Sequence, residues 1–227
     1  KDIFIDRAAR MVQRDKNHAC VIMWSLGNES NYGNNFRLMK EYIDSCGTGI
    51  PVHFESANLE CDPEFACDIV SSMYTSTSEL EKKANGNEKR PIFLCEYCHA
   101  MGNGPGDVFD YWEIIDKYPN LIGGCVWEWT DHVVYEDNTQ KYGGDFGEET
   151  HDGNFCSDGM TFADRSFKAG TLEIKAAYQP MKATLENGKI IIENKYSFTD
   201  FSGFDFVYKI EIDGKAVFEK SFKIDTK

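Results

Sequence analysis

Five apolar runs of strand length mark the first part of the chain, and each turns polar or aromatic at its end. Helical spacing of apolar residues occurs at residues 3–15, around 34–45 and from about 107 to 117. The five runs are VIMWSLGNES, PVHFES, DIVSSMY, PIFLCEY and LIGGCVWEWTD. Apolar runs that end abruptly are typical of buried parallel strands, so the pattern predicts an α/β fold with polar residues at the carboxyl ends of its strands. A barrel and an open sheet both satisfy this pattern.

The pattern changes at about residue 181 to short alternating strands, within KATLENGKIIIENKYS and FDFVYKIEIDGKAVFEKSFKI. The turn dipeptides Asn187-Gly188 and Asp213-Gly214 predict two β-hairpins. Two hairpins bury too little surface to be stable alone. We therefore predict a first domain over residues 1–180 and, over 181–227, the truncated beginning of an all-β sandwich domain.

The composition is that of a packed globular protein, because hydrophobic residues make up 41% and aromatic residues 14% of the chain. Lys and Arg number 24 against 38 Asp and Glu, and the resulting formal charge of -14 argues against a nucleic-acid partner. We also expect no membrane association, because no apolar run approaches the length of about 20 residues that a spanning helix needs.

Eight cysteines are spread along the chain, several of them inside apolar runs such as PIFLCEYC. This placement favours buried free thiols over disulfides. Cys95 and Cys98 form a C-x-x-C pair, but no second pair accompanies them, which weakens a zinc or redox interpretation. We therefore expect a soluble protein in a reducing compartment, with a cytoplasmic location.

Carboxylates and aromatic rings dominate the ends of the predicted strands. These residues are Asn28, Glu29, Glu55, Tyr74, Glu96, His99, Trp127, Glu128 and Trp129. The chain has neither a G-x-S-x-G motif nor a glycine loop of dinucleotide or P-loop spacing. Two carboxylates can hydrolyse a glycoside, one as proton donor and one as nucleophile or base, while aromatic rings stack on the sugar. A glutamate at a strand end can instead cap a helix or pair with an arginine.

Two long strings, WSLGNES and CEYCHAMGN, closely resemble the acid/base and nucleophile motifs of the β-galactosidases of glycoside hydrolase family 2. RDKNHACVIMWSLGNES, MYTS, GGCVWEWTDH, YGGDFG and FADR are similar to the same family in the same order, from about residue 10 to 180. The resemblance implies a TIM (β/α)8 barrel, of which this chain would hold strands 4 to 8 and lack strands 1 to 3. The all-β domain that follows is then expected to be an immunoglobulin-like sandwich.

By this resemblance Glu29 is the acid/base residue and Glu96 is the nucleophile. Asn28 is then positioned for the 2-hydroxyl of the sugar, where hydrogen bonds strengthen in the transition state.

The resemblance also assigns three substrate-binding residues. Tyr74 looks like the tyrosine beside the nucleophile, His99 is similar to the histidine that stabilises the sugar at the transition state, and Trp127 matches the tryptophan at the base of the galactose site. The structural alternatives are a core tyrosine, an ordinary loop histidine and a core tryptophan. We expect Trp24 and Trp129 to be core residues.

Two metal sites are implied by the resemblance. A Mg2+ ion is held by the acid/base residue together with a Glu-x-His pair on the preceding barrel strand, and of this set only Glu29 is present. A Na+ ion is held by a Phe backbone oxygen and an Asn side chain in a string similar to NFCSDG, so Phe155 carries over and Asp158 replaces the Asn. A carboxylate oxygen also binds cations. For Glu128, which resembles an acidic residue of the family, we expect an ion pair with a neighbour.

The resemblance implies a retaining β-galactosidase that hydrolyses terminal β-D-galactosides such as lactose through a covalent galactosyl-enzyme intermediate. We expect the full-length parent to be a homo-oligomer. Because five barrel strands cannot close, we expect this chain alone to be an inactive fragment. Two alternatives stay open. One is another family 2 glycosidase, a β-glucuronidase or β-mannosidase, and the other is a non-catalytic carbohydrate-binding or assembly fragment.

Overall fold

A computed structural model of the chain describes residues 1–55 and 67–224. The chain separates into two compact units, Lys1–Ile174 and Lys175–Lys227, and the domain boundary placed at residue 180 stays a prediction. The helices are α1 (Asp2–Asp15), α2 (Asn34–Ser45), α3 (Thr77–Ala84), α4 (Val108–Lys117) and α5 (Ala169–Ala177). The strands are β1 (Trp24–Ser25), β2 (Val52–His53), β3 (Val70–Met73), β4 (Ile92–Tyr97), β5 (Leu121–Val126), β6 (Val134–Glu136), β7 (Thr139–Lys141), β8 (Met181–Glu186), β9 (Lys189–Asn194), β10 (Phe206–Ile212) and β11 (Lys215–Phe222).

The first five strands are parallel and follow one another in chain order. β1 pairs with β2, β3 and β5 flank β4, and one parallel bridge between His53 and Ile69 joins the two groups. This confirms the mixed α/β class and brings the carboxyl ends of the strands to the same side. Within the described residues β1 and β5 do not pair, so the strands form no closed barrel, and their numbering as barrel strands 4 to 8 stays a prediction.

The first hydrophobic core lies between α1, α2 and the strands β1 and β2. Phe36, Met39 and Ile43 are buried at spacings of three and four residues, so they form one face of α2. This face packs against Trp24 of β1 and against Phe54, which directly follows β2. The helices predicted over residues 3–15 and around 34–45 are thereby confirmed.

The second hydrophobic core lies between α3, α4 and the strands β4 and β5. The charged segment that precedes β4 forms α3, and Leu80 and Ala84 on its inner face are buried. A capping box starts this helix, because Ser76 and Glu79 exchange side-chain and backbone hydrogen bonds. The helix predicted from about 107 to 117 is present as α4.

Close approach of β4 and β5 depends on a glycine. Leu94 of β4 is the register partner of Gly124, and the pairing is irregular on both sides of Leu94. A Cβ atom on Gly124 would lie 2.5 Å from Leu94 Cβ and 2.7 Å from its carbonyl oxygen. Only a residue without a side chain therefore fits between these two strands.

The second unit contains two antiparallel hairpins, β8 with β9 and β10 with β11. Their turns lie at Asn187-Gly188 and Asp213-Gly214 as predicted. Phe201 is buried, and its ring centroid lies 5.2 Å from that of Phe206. The immunoglobulin-like sandwich stays a prediction.

The described cysteines are free thiols, but not all of them are buried as expected. Cys67 is buried and Cys98 half-buried, and burial raises the pKa of each thiol to about 12. Cys20 and Cys125 are exposed instead. Cys61 lies outside the described residues.

Trp24 is buried as predicted, but the prediction of a core position for Trp129 is wrong, since 59% of this residue is exposed. β5 ends at Val126, so Trp129 lies beyond the sheet and is held through its backbone carbonyl, which accepts hydrogen bonds from Thr161.

In the part of the chain that the structure describes, none of the helices combines the length and apolar character needed to cross a bilayer.

Candidate active site

A cavity of about 610 Å³ lies where β1, β2, β4 and β5 end. Its volume is in the range of sites that bind small molecules. Three of the predicted site residues, Asn28, Glu96 and Trp127, line it. The parallel strand order therefore brings together residues that are up to 99 positions apart in the sequence.

Glu96 is held at the end of β4 by contacts from two other strand ends. Asn28 Nδ2 donates a hydrogen bond to Glu96 Oε1 at 3.4 Å. The backbone N–H of Tyr74 donates to the Glu96 carbonyl at 2.9 Å. The Glu96 carboxylate thus faces an amide side chain from the motif that also contains Glu29.

Tyr74 directly follows β3 and has a left-handed backbone with φ of 44°. Desolvation, then a side-chain hydrogen bond with Glu96 and the negative charge of that carboxylate, raise the pKa of Tyr74. The phenol therefore stays protonated at neutral pH and can donate its proton to the Glu96 carboxylate. This contact decides against the alternative of a core tyrosine, as does the 43% exposure of the residue.

Glu29 occupies a tight turn after β1. Its backbone is left-handed, with φ of 47°, and its N–H donates to Glu55 Oε2 at 2.8 Å. The Ser30 hydroxyl donates to the Asn28 carbonyl at 2.7 Å and closes the same turn. A Cβ atom on Gly27 would lie 3.3 Å from Ser30 Oγ, so a side chain at this position would crowd the turn.

His99 lies in the loop after β4, between two aromatic rings. Its ring centroid is 6.0 Å from that of Tyr74 and 5.9 Å from that of Phe155. Its Nδ1 accepts the backbone N–H of Met101 at 3.3 Å, which fixes Nε2 as the protonated nitrogen in the neutral ring. The predicted residues Tyr74, His99 and Phe155 therefore form one aromatic row beside Glu96.

Trp127 follows β5 and is fixed at both ends. Its indole Nε1 donates to Asp158 Oδ2 at 3.1 Å, and its carbonyl accepts the N–H of Ala100 at 2.7 Å. The peptide between Trp127 and Glu128 is cis. The partly exposed ring faces the cavity, so Trp127 is more than a core residue.

Asp158 is 3% exposed, and its Oδ1 has no hydrogen-bond partner among the described residues. Desolvation, a side-chain hydrogen bond with Asp158 and the negative charge of that carboxylate raise the pKa of Glu128. Glu128 Oε1 lies 3.1 Å from His132 Nε2, so the two side chains are in contact, and the expected ion pair stays a prediction. A buried carboxylate oxygen without a partner suits a hard cation such as Na+, and Phe155 lies three residues upstream of it.

Residues 1–55 and 67–224 contain no group of three or more His, Cys, Asp or Glu side chains that could hold a metal ion. Glu29 is thus one carboxylate ligand at most for the Mg2+ ion that the resemblance implies.

Ser25 and His53 are among the residues that line the cavity without a predicted role. Ser25 Oγ lies 3.0 Å from Nδ1 of the buried His53, whose pKa is lowered by desolvation. Only the alternation of residues along β1 and β2 could have indicated that both side chains face the cavity. Glu55 was noted at a strand end, but its contact with Glu29 was not predicted.

Comparisons with known proteins identify the family of this chain. Residues 1–183 match the family described as glycosyl hydrolases family 2, TIM barrel domain. The chain is 42% identical over 225 residues to a β-galactosidase of Priestia megaterium, covering 96% of this chain and 22% of that protein. It is 41% identical over 209 residues to a β-galactosidase of Actinobacillus pleuropneumoniae, covering 90% of this chain and 21% of that protein. The chain thus spans about a fifth of the length of these curated relatives.

Solved structures with a similar fold include a β-glucuronidase of Faecalibacterium prausnitzii, with a TM-score of 0.52 at 20% identity over 77% of this chain and 34% of that one. A β-glucuronidase of Bifidobacterium dentium gives a TM-score of 0.52 at 20% identity over 80% of this chain and 34% of that one. These likenesses concern the fold alone. Together with the match over residues 1–183, the identities of 42% and 41% establish that the chain belongs to the TIM barrel domain family of glycosyl hydrolases family 2.

Proposed function

We propose that the protein carrying this chain is a retaining β-galactosidase, which hydrolyses terminal β-D-galactosides such as lactose through a covalent galactosyl-enzyme intermediate. The contact that carries the proposal joins Asn28 Nδ2 to Glu96 Oε1. Because Asn28 directly precedes Glu29, it links the turn of one glutamate to the carboxylate of the other. The galactose specificity is supported by the β-galactosidases that align with at least 90% of the chain.

In the first step, an oxygen of the Glu96 carboxylate bonds to the anomeric carbon while the bond from that carbon to the leaving oxygen breaks. Glu29 gives its proton to the leaving oxygen, which departs as an alcohol. In the second step, Glu29 takes a proton from water, the water oxygen bonds to the anomeric carbon, and Glu96 leaves as a carboxylate. Retention requires the two carboxyl groups to be about 5 to 5.5 Å apart.

The neighbouring residues have supporting roles in this proposal. Asn28 would bind the sugar 2-hydroxyl, and the Tyr74 phenol would hold Glu96 in position for attack. Trp127, fixed through its indole N–H, would offer its ring face to the apolar side of the galactose. His99 would donate from Nε2 to a sugar hydroxyl in the transition state.

Two cations belong to the proposal. Glu29 would contribute one oxygen ligand to Mg2+, and the Phe155 carbonyl with the Asp158 carboxylate would contribute to Na+. A bound cation supplies positive charge that stabilises anionic groups around the substrate. The chain's own contribution is the buried Asp158 oxygen and the acidic side chain of Glu29.

The test uses the complete polypeptide that carries residues 1–227, assayed on chromogenic β-galactoside, β-glucuronide and β-mannoside. We expect the galactoside to be cleaved fastest, and preference for another sugar would replace the galactosidase assignment by the glucuronidase or mannosidase alternative. Proton NMR of the first product should show β-galactose, and a first product of α configuration would overturn retention. A fluorosugar galactosyl donor should label Glu96, as mass spectrometry of the digested protein would reveal.

Variants separate catalysis from sugar binding alone. Glu29→Gln should lower kcat/KM by about 10²- to 10⁴-fold, the usual contribution of an acid/base group. Glu96→Gln should abolish covalent labelling and lower kcat further. Glu88→Gln is a matched control, since Glu88 lies before β4 and its carboxylate, among the described residues, accepts hydrogen bonds from the neighbouring Lys89 and Arg90. If Glu96→Gln retained full activity, the two-carboxylate mechanism would be wrong.

A further inference from the structure

We propose that Glu55 is a positioning residue for the acid/base glutamate, because its carboxylate holds the backbone of Glu29 in the left-handed turn after β1. This inference rests on the proposed function, in which Glu29 protonates the leaving group. Neither the resemblance nor the comparisons give Glu55 a role.

The backbone is what fixes Glu29. Its side chain is exposed, and the Glu29 carboxylate makes no hydrogen bond or ion pair with the described residues. Its φ of 47° lies in the left-handed region, which costs free energy for a residue with a side chain. The hydrogen bond from Glu29 N–H to Glu55 Oε2, at 2.8 Å, is charge-assisted and offsets this cost.

Glu55 is itself anchored by the core. It directly follows Phe54, which is fully buried and stacks on Phe36 with ring centroids 4.2 Å apart. The Glu55 N–H also points to the Gly27 carbonyl, at 3.5 Å. Two contacts thus tie the end of β2 to the turn after β1, so movement of Glu55 is transmitted to Glu29.

A displaced general acid has a specific kinetic effect. A dinitrophenolate leaving group departs without needing a proton, whereas phenol and the glucose of lactose need one in the transition state. Loss of the Glu55 contact should therefore slow cleavage of galactosides with basic leaving groups and spare the dinitrophenyl galactoside. General destabilisation of the fold would lower the activity on all substrates by the same factor.

The experiment compares kcat/KM of wild type, Glu55→Met and Glu55→Gln, in the complete polypeptide, on dinitrophenyl, nitrophenyl and phenyl galactosides and on lactose. Glu55→Met keeps the chain length but accepts no hydrogen bond, and we expect a roughly 10- to 100-fold loss on lactose, with little loss on the dinitrophenyl substrate. Glu55→Gln still accepts from Glu29 N–H and should retain most of the activity on lactose.

Glu88→Met is the matched control. The Glu88 carboxylate also accepts backbone N–H groups, from Lys89 and Arg90 at 2.9 Å each, but it lies at the amino end of β4. We expect its effect to be equal on all four substrates. If Glu55→Met does not fold, Glu55→Asp replaces it, since the shorter side chain withdraws the acceptor by one methylene.

Equal losses on all four substrates, or no loss, for Glu55→Met or its replacement would overturn the inference. Wild-type protein that fails to cleave even the dinitrophenyl galactoside would instead refute the proposed function. The two failures are thus distinguishable.

Discussion

The Asp158 carboxylate provides a direct test of the expected sodium site. Trp127 Nε1 donates a hydrogen bond to Asp158 Oδ2. Asp158 Oδ1 is buried and has no hydrogen-bond partner among the described residues. Leaving such an acceptor unsatisfied costs about 1 to 3 kcal/mol. Desolvation, a side-chain hydrogen bond with Asp158 and the negative charge of Asp158 raise the pKa of the nearby Glu128. Without a cation, Asp158→Asn should therefore raise the free energy of unfolding by about 1 to 3 kcal/mol.

Sodium should shift the balance of stability towards wild type. A ligand that binds only the folded state adds about 2.7 kcal/mol when its concentration is 100 times its dissociation constant. The carboxylate of wild type should gain this amount, and the amide of Asp158→Asn much less, because it lacks the negative charge. The measurement is denaturant unfolding at fixed ionic strength, with NaCl replaced stepwise by choline chloride.

Asp164→Asn controls for general salt effects. Asp164 is an exposed carboxylate that accepts the Ser166 N–H at 2.9 Å, and its replacement should leave the sodium response of wild type intact. If wild type and Asp158→Asn gained equal stability from sodium, the reasoning from the unpaired oxygen would be refuted.

Two further predictions concern buried groups. Asp131→Asn should lower the free energy of unfolding by about 3 to 5 kcal/mol, because it leaves the largely buried Lys168 ammonium without a negatively charged partner. In denaturant titrations, adding Lys168→Met to this variant should recover most of the lost stability. Asp131 Oδ1 lies 2.6 Å from Lys168 Nζ, so an unchanged stability of Asp131→Asn would contradict this reasoning. Desolvation lowers the pKa of His53, so the unfolded chain binds this proton more readily, and stability should fall as pH drops below about 6.5. His53→Gln should make this part of the pH dependence shallower, and an unchanged slope between pH 7 and 5 would exclude His53 as its source.

Periodic and turn signals explain what the sequence could predict of the fold. The helices α1, α2 and α4 follow the spacing of their apolar residues, and the Asn187-Gly188 and Asp213-Gly214 turns carry the dipeptides that favour tight hairpins. The hairpin of β6 and β7 was missed, since it turns at Asp137 and Asn138 without a glycine. The strand β1 is only two residues long although the apolar run is much longer, because strand length depends on its partner β2.

The candidate site could be predicted only as a set of strand ends. Asn28 and Glu96 come together because parallel strands place their carboxyl ends on one side, which a sequence pattern implies. The contact of Glu55 with Glu29 depends on the register of β1 with β2 and on one left-handed residue, which no periodicity encodes. Trp129 was misplaced because Trp127 and Trp129 alternate with Glu128 as strand residues do, whereas β5 already ends at Val126.

Gly124 limits how this protein can be engineered. Any replacement would bring a methyl group or more into Leu94, and the displaced strand β4 is the one that carries Glu96. Libraries that aim to broaden the range of accepted sugars should therefore keep this glycine invariant. The adjacent Cys125 is exposed and lines the cavity that contains Glu96 and Trp127. Randomising position 125 can therefore reshape the cavity wall without moving β4.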